Sequence, residues 1–256
     1  MSLQIHQFPY LSDNYGVLLH EPSSGATACV DAGDADAALK ALESKNWTLD
    51  LLLITHHHGD HTAGLEQIKQ KTGARVIGPK AGASAAINGI DQEVQDGDSF
   101  KFGDRDVQVI HTPGHTLDMM NYYLPQDALL FSGDTLFTMG CGRLFEGTAA
   151  TMLQSLNKLK QLPQQTTIYC SHEYTLHNGG FALSVDPDNV DLQVRVAAAK
   201  ELRASNLATV PSTLAEELAT NPFLRANDAA IRSTLGMDDA DELAVFTELR
   251  ERRNNA

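Results

Sequence analysis

The chain has 256 residues, 42% of them hydrophobic, and its 19 Lys and Arg against 33 Asp and Glu give a net charge of −14. This length suits one large domain, or a domain with a smaller appendage. The acidic balance argues against nucleic acid and an anionic membrane surface as partners, and no stretch approaches the roughly 18 apolar residues that a membrane-spanning helix needs.

The first two-thirds of the chain alternates short apolar strands with helices and Gly-rich turns, which is typical of an α/β domain. The predicted strands are 17–19, 28–30, 51–54, 75–77, 98–102, 107–110, 121–124, 128–131 and 167–170. The predicted helices in this part are 34–44, 64–71 and 149–162.

After residue 172 Leu- and Ala-rich helical patterns dominate, and no strand is expected. Thr213 and Glu216 have the spacing of a capping box, which predicts a helix that ends near Asn221. Asp239 is the predicted N-cap of the last helix. This change from alternating strands and helices to helices alone predicts an α/β domain over 1–173 and a small all-helical domain over 174–256.

The most distinctive segment is 55–61, with the sequence THHHGDH, directly behind the predicted strand 51–54. In an extended backbone His56 and His58 point to the same side, because the side-chain period is two. The turn that follows could aim Asp60 and His61 back to that side. Two pairs of ligands in one short loop suggest two metal ions. A solvent-exposed His-rich tract or a tag relic is disfavoured, because tags sit at termini and lack an interleaved Asp.

Three later motifs, TPGHT, SGDT and SHEY, each place a single His or Asp directly after a predicted strand; they supply His115, Asp134 and His172. Each motif alone is a weak signal, because a lone His at a strand end is more often a surface or capping residue. Together with the first run, they favour a metal centre.

The predicted centre holds two ions through seven imidazole or carboxylate ligands. One ion is assigned His56, His58 and His115, the other Asp60, His61 and His172, and Asp134 bridges the two. Zn²⁺ prefers such ligands, and Fe or Mn²⁺ also accept them. A hydroxide between the ions would be the nucleophile, since two cations lower the pKa of water towards neutrality. Asp60 and Asp134 would orient it.

The remaining histidines are predicted to have other roles. His57 lies between ligands and is expected to point away from them, and His111 is expected to be structural. The others, His6, His20 and His177, are assigned to the surface or to packing. Asp31 could hydrogen-bond a ligating imidazole or, equally, cap a turn.

The HxHxDH run at His56–His61 resembles the signature of the metallo-β-lactamase superfamily. The fold this implies is a four-layer αββα sandwich with the metals at the edge between the two sheets. The resemblance is closest to the glyoxalase II (hydroxyacylglutathione hydrolase) family, and it extends over essentially the whole chain. It is carried by residues 11–15, 141–147, 172–175, 210–217 and 221–225. Superfamily members with other chemistries generally lack the C-terminal part.

The resemblance implies hydrolysis of S-D-lactoylglutathione, a thioester, to D-lactate and glutathione, the second step of methylglyoxal detoxification. The family's glutathione-binding positions match Arg143, Tyr174, Arg250 and Arg253, with Phe145 where a Tyr is also found. Glutathione carries two carboxylates, which suit the guanidinium fork. Alternatively, the two arginines of the last helix complement its C-terminus.

Three departures from the family pattern are visible. Asp118 and Met119 stand where the superfamily often has Gly-His, a His outside the ligand set. The end of the chain after Arg253 lacks the basic-acidic-aromatic finish of relatives, and Ala32 stands where Pro is usual.

Two other functions are considered. One is a mononuclear-iron persulfide dioxygenase of the same superfamily, which typically lacks the helical tail. The other is a non-enzymatic metal-binding module, which the complete ligand set disfavours. The three cysteines form no CxxC pair and leave an odd one out, which suits a reducing cytosol. The N-terminus has neither the basic nor the apolar region of a signal peptide. We therefore expect a cytoplasmic enzyme, monomeric, acting on a small molecule.

Overall fold

The computed structural model describes residues 2–80, 82 and 84–256. The chain divides into two compact units. The first contains Met1–His111 and Thr116–Gly133, and the second contains Thr112–His115 and Asp134–Ala256. None of the helices in the described part is long and apolar enough to cross a membrane.

A six-stranded sheet forms the first part of the first unit. Its strands, in spatial as well as chain order, are β1 (Gln4–Tyr10), β2 (Asn14–His20), β3 (Thr27–Val30), β4 (Leu51–Leu53), β5 (Arg75–Pro79) and β6 (Gln92–Val94). The first three pair antiparallel, and β3 to β6 pair parallel. Strands β3, β4 and β5 are mostly apolar because both of their faces are largely buried.

Three helices accompany this sheet: α1 (Ala35–Lys45), α2 (Gly59–Thr62) and α3 (Leu65–Thr72). Helix α1 begins where the Asp34 side chain accepts a hydrogen bond from the Ala37 amide, and it ends at Asn46 in the left-handed conformation. The buried residues of α1 and α3 belong to one hydrophobic core. Residues of the sheet, among them Leu18 and Leu52, pack in the same core.

Four antiparallel strands complete the first unit, in the order β10-β9-β8-β7. They are β7 (Ser99–Phe102), β8 (Arg105–His111), β9 (Met120–Leu124) and β10 (Leu129–Gly133). Tyr122 of β9 is fully buried, and its hydroxyl donates to the carbonyl of Ile54 at the end of β4, at 2.6 Å. This bond ties the four strands to the end of the strand that precedes the His-rich run.

The second unit is mostly helical. Its strands are β11 (Leu136–Phe137), β12 (Gly140–Cys141), β13 (Thr167–Cys170) and β14 (Ser212–Thr213). Its helices are α4 (Ala149–Leu159), α5 (Thr175–Val185), α6 (Val190–Ala204), α7 (Leu214–Thr220), α8 (Ala229–Leu235) and α9 (Glu242–Asn254), with a 3-10 turn at Pro222–Leu224. Glu217, which is fully buried, accepts hydrogen bonds from the Met139 amide and from Arg195, and so anchors α7.

Every predicted strand and helix of the first two-thirds is present, with ends shifted by up to three residues. The predicted capping box of Thr213 and Glu216 is confirmed. The expectation of no strand after residue 172 is wrong, because Ser212–Thr213 pairs antiparallel with β13. The N-cap of the last helix is Asp241 and not Asp239, since the Asp241 side chain accepts from the Ala244 amide.

Candidate active site

Four of the seven predicted metal ligands follow β4 in the first unit: His56 and His58 lie in the loop after this strand, and Asp60 and His61 lie in the short helix α2 that continues it. His56 Nε2 lies 3.1 Å from His58 Nδ1, and His61 Nε2 lies 3.2 Å from an Asp60 oxygen. Two ligands of a tetrahedral zinc ion with bonds of about 2.0–2.1 Å are separated by roughly 3.3 Å. The two pairs therefore have the donor types and spacing of ligands that share a cation.

Asp31 orients this loop from behind. Its Oδ2 accepts from His61 Nδ1 at 2.8 Å, and its Oδ1 accepts from the Thr55 amide at 2.9 Å. The Thr55 hydroxyl lies 3.0 Å from His56 Nδ1. Bonds of this kind occupy Nδ1 and so leave Nε2 as the metal-binding atom. Asp31 thus hydrogen-bonds the imidazole of His61, one of the predicted ligands, and the same carboxylate also accepts from the Thr55 amide.

The other three predicted ligands lie in the second unit, each at the end of a different short segment. Asp134 Oδ2 lies 3.3 Å from the Nε2 atoms of both His115 and His172. All three residues are about 95% buried. His115 donates through Nδ1 to the carbonyl of Arg143 at 2.8 Å, and His172 stacks on Tyr174 with ring centroids 4.7 Å apart. One carboxylate oxygen between two imidazoles is the geometry that a bridging ligand requires.

Gly142 makes room for two of these ligands. A Cβ at this position would lie 2.0 Å from the Asp134 carbonyl oxygen and 3.1 Å from the His115 Cβ. We expect Gly142→Ala to displace both residues, to lower the free energy of unfolding by about 2 kcal/mol, and to reduce the divalent metal bound per chain. Thermal unfolding and metal analysis check this.

Gly180→Ala is the matched control, because a Cβ there meets nothing within 4 Å. Gly180 lies in helix α5, where Ala is the better helix former, so this variant should gain up to about 1 kcal/mol and keep its metal. Equal behaviour of the two variants would refute the steric role of Gly142.

A cavity of about 350 Å³ opens beside the ligands of the second unit. It is lined by His115, Asp134, Phe137, Cys141, Arg143, Phe145, Tyr174, His177, Asn178, Arg250 and Arg253. All five predicted substrate-binding residues are thus brought together with two of the predicted metal ligands. Phe145 is 61% exposed and meets the His115 ring edge-on at 5.2 Å.

Three guanidinium groups share this cavity: Arg143, Arg250 and Arg253. In the part of the chain that the structure describes, none of them forms a salt bridge with a carboxylate. Burial, and then the charges of Arg250 and Arg143, lower the pKa of Arg253. Positive charges gathered in this way favour a ligand with carboxylate groups.

Arg250 and Arg253 are held by different contacts. Arg250 is buried, donates to the carbonyls of Cys141 and Gly142 at 2.8 and 3.4 Å, and lies over the Phe223 ring. Arg253 donates to the Asn178 side-chain oxygen at 3.3 and 3.4 Å. Arg250 therefore supports the wall of the cavity as well as charging it.

Residues that the sequence did not single out also line the cavity. Asn178 is 4% exposed, and its amide donates to the Thr138 carbonyl at 3.1 Å, which fixes the oxygen that holds Arg253. His177, assigned to the surface or packing, is exposed and lies on the cavity wall. Their position directly after the HEYT segment, at the start of a helix, is the only sequence signal they carry.

The histidines predicted to lie outside the ligand set make contacts of their own. His57 donates through Nδ1 to Asp118 at 3.1 Å. His111 lies 2.7 Å from the Leu117 carbonyl, which is a structural contact as expected. His20 stacks on Trp47 at 4.8 Å.

Two family models match the chain. The model described as metallo-beta-lactamase superfamily matches residues 17–172, and the model described as hydroxyacylglutathione hydrolase C-terminus matches residues 173–256. Proteins named hydroxyacylglutathione hydrolase from Brucella ovis and Brucella anthropi are 54% identical over 252 residues. These matches cover 98% of this chain and 98% and 96% of the two relatives.

Solved structures show the same fold. ETHE1 from Myxococcus xanthus has a TM-score of 0.70 at 24% identity, over 98% of this chain and 91% of that chain. The BLEG-1 B3 metallo-beta-lactamase has a TM-score of 0.65 at 23% identity, over 86% of this chain and 99% of that chain. The predicted fold class is confirmed, and so is the resemblance. The chain belongs to the hydroxyacylglutathione hydrolase family of the metallo-β-lactamase superfamily.

Proposed function

We propose that this protein is a metal-dependent thioester hydrolase that converts S-D-lactoylglutathione to D-lactate and glutathione. The observation that carries the proposal is the cavity in which three guanidinium groups without a carboxylate partner among the described residues lie beside His115 and Asp134. Glutathione presents two carboxylates, and its thioester carbonyl would lie near the metal ligands. The relatives at 54% identity are named for this activity.

The proposed metal centre uses the predicted set of seven ligands. These are His56, His58 and His115 for one ion, Asp60, His61 and His172 for the other, and Asp134 for both. Imidazole and carboxylate donors at 3.1–3.3 Å spacing fit divalent zinc, with Fe or Mn²⁺ also accepted by such a set. Bound ions would lower the pKa of water towards neutrality and polarise the carbonyl under attack.

The protein's own residues bind and orient the substrate. We propose that Arg143 and Arg253 pair with the glutathione carboxylates, with Asn178 holding the Arg253 guanidinium in place. Tyr174 and Phe145 would pack against the peptide. The departing glutathione thiolate needs little help from an acid, because the pKa of a thiol is about 8.5.

The division of labour between the parts of the chain also stays a proposal. Residues 1–173 would supply the metal ligands together with Arg143 and Phe145, and residues 174–256 would supply Tyr174, Arg250 and Arg253. We further propose a cytoplasmic monomer. The three buried free thiols suit a reducing compartment.

Removing a carboxylate-binding guanidinium should weaken substrate binding selectively. We expect Arg143→Ala and Arg253→Ala each to lower kcat/KM for S-D-lactoylglutathione about 30-fold, mostly through KM, because a charge-assisted bond to a carboxylate contributes about 2 kcal/mol. Steady-state thiol release measures this. With a lactoyl thioester of N-acetylcysteamine, which has no carboxylate, the same variants should change kcat/KM less than about threefold.

Arg252→Ala is the matched control. Arg252 is the neighbour of Arg253 on the same helix, but it is 45% exposed and pairs with Glu248. Arg252→Ala should leave kcat/KM unchanged for both substrates. An equal loss on both substrates in the Arg143 and Arg253 variants would contradict carboxylate recognition. A single iron per chain with oxygen consumption on glutathione persulfide, and no thioester hydrolysis, would instead support the dioxygenase.

A further inference from the structure

A His–Asp pair lies behind the loop of predicted metal ligands. His57 Nδ1 donates to Asp118 Oδ1 at 3.1 Å, and the side chains are 15% and 6% exposed. His57 is the one histidine of the 55–61 run outside the ligand set. Asp118 stands at one of the positions where this chain departs from the common pattern of its superfamily.

The backbone of the ligand loop is held on both sides of His57. On one side, the Thr55 amide and hydroxyl donate to Asp31 at 2.9 and 3.0 Å. On the other side, the Thr62 hydroxyl donates to the carbonyls of His57 and His58 at 3.3 and 2.9 Å. These contacts restrain the backbone at both ends of the loop, whereas the His57 ring is held by Asp118.

The His57 ring contacts one of the predicted ligands directly. It meets the His58 ring edge-on with centroids 4.9 Å apart, and the His58 ring meets the His56 ring in the same way at 4.7 Å. Holding the His57 ring therefore limits the directions in which His58, and through it His56, can project. Their ring nitrogens lie 3.1 Å apart, so a small rotation would separate them from a shared ion.

Asp118 is itself well supported. Its neighbour Leu117 has its carbonyl 2.7 Å from His111 Nε2, and Met120 donates through its amide to the Thr55 carbonyl at 2.8 Å. The segment before β9 thus contacts the ligand loop through a backbone bond and through the Asp118 carboxylate. Asp118 is a rigid point from which the His57 ring can be held.

We propose that Asp118 is a positioning residue of the metal centre, whose carboxylate holds the His57 imidazole and so orients His56 and His58. The inference rests on the proposed ligand role of these two histidines. It assigns a function to His57 and to Asp118 that acts on metal binding and not on substrate. Partners one step outside a metal's ligands commonly change metal affinity 10- to 100-fold when they are removed.

The test measures zinc alone, without thioester. The metal-free protein is reconstituted in competition with a chromophoric chelator, and the apparent zinc affinity is compared between variants. We expect Asp118→Ala to lower the apparent zinc affinity about 10- to 100-fold. Asp118→Asn, whose amide oxygen can accept the same bond, should stay within about threefold of the original protein.

His57→Ala removes the same bond from the other side and should lower zinc affinity to the same extent. The double variant should be no weaker than either single one, because both changes delete one interaction. If Asp118→Ala does not fold, His57→Ala alone tests whether the bond between the two side chains affects zinc affinity. Asp127→Ala is the matched control, since it removes a partly buried carboxylate that pairs with Arg105 and contacts none of the ligands.

Three results would overturn the proposal. They are zinc affinity within threefold in both alanine variants, equal weakening by Asp118→Asn and Asp118→Ala, and additive losses in the double variant. The assay is independent of catalysis. If zinc affinity depends on Asp118 but the protein does not hydrolyse the thioester, only the proposed function is contradicted. If the protein hydrolyses the thioester but these variants keep their zinc affinity, only the positioning role of Asp118 is contradicted.

Discussion

Asp134→Ala is expected to lower kcat/KM for S-D-lactoylglutathione on the order of 10³-fold, equivalent to about 4 kcal/mol of transition-state stabilisation. The reason is that one Asp134 oxygen lies 3.3 Å from the Nε2 atoms of both His115 and His172. Losing it removes a ligand from both proposed ions, and it leaves two buried imidazoles without the carboxylate between them. Thiol release and metal analysis on the same sample measure the effect.

The metal content should fall below two ions per chain together with the activity. Asp134→Asn, which keeps an oxygen but loses the charge, should fall between the alanine variant and the original protein. The control is Asp188→Ala, an exposed carboxylate of the same unit, which should behave as the original protein does. Near-normal thioester hydrolysis by Asp134→Ala would rule out the bridged two-metal mechanism.

Arg105→Ala is expected to cost about 3 kcal/mol of stability, without touching the active site. Glu21 is fully buried and receives hydrogen bonds from Arg105, from the Ser24 hydroxyl and from the Asp104 amide. Arg105 also bonds both oxygens of Asp127, at 2.7 and 3.2 Å. Removing one partner leaves a buried carboxylate uncompensated, and the lower end of the range applies because the Arg105 side chain is 12% exposed.

The pH dependence of this stability loss follows from the direction in which the pKa of Glu21 is shifted. Burial alone raises the pKa of Glu21, but the bonds from Ser24, Asp104 and Arg105 outweigh it and hold the pKa below its ordinary value of 4.5. A depressed pKa gives stability that is present above pH 4.5 and is lost as pH falls through the folded-state pKa. The cost of Arg105→Ala should therefore shrink in acid, below about pH 4.5.

Chemical denaturation at pH 7 and at pH 4 measures both effects, and at neutral pH the midpoint of thermal unfolding should fall by roughly 6–12 °C. Lys101→Ala serves as the control because it removes an exposed ion pair with Asp106 in the same β7–β8 hairpin. This variant should show no measurable change in stability. If Arg105→Ala is as stable as Lys101→Ala, the buried Glu21 carboxylate does not need the Arg105 guanidinium for the stability of the fold.

The ligand loop was predictable because its geometry is local. An apolar run that ends in a polar run locates the end of a buried strand, and the period of two places His56 and His58 on one side. Asp31 was identified for the same reason, since it follows a predicted strand. Its contacts with His61 and Thr55, which are 30 and 24 residues away, depend on β3 lying beside β4 in the sheet.

The elements that were missed depend on partners far along the chain. Strand β1 (Gln4–Tyr10) contains Pro9 and has no clear alternation of burial; it forms because β2 supplies a partner over its full length. Strand β14 has two residues and exists through its pairing with β13. For the last helix, Asp238, Asp239 and Asp241 are all chemically able to cap, and packing places the helix start at Asp241.

The cavity shows most clearly which features the local sequence predicts and which depend on distant parts of the chain. The pattern of residues predicts a set of candidate metal ligands, because each of them follows the end of a strand that can be recognised locally. It could not separate the arginines of the last helix, which have the same chemistry. Packing buries Arg250 against the carbonyl of Cys141, 109 residues earlier, holds Arg253 on Asn178, and leaves Arg252 in solvent. Side-chain identity is a property of one position, whereas burial and hydrogen bonding depend on which distant backbone atoms the folded chain brings within about 3 Å.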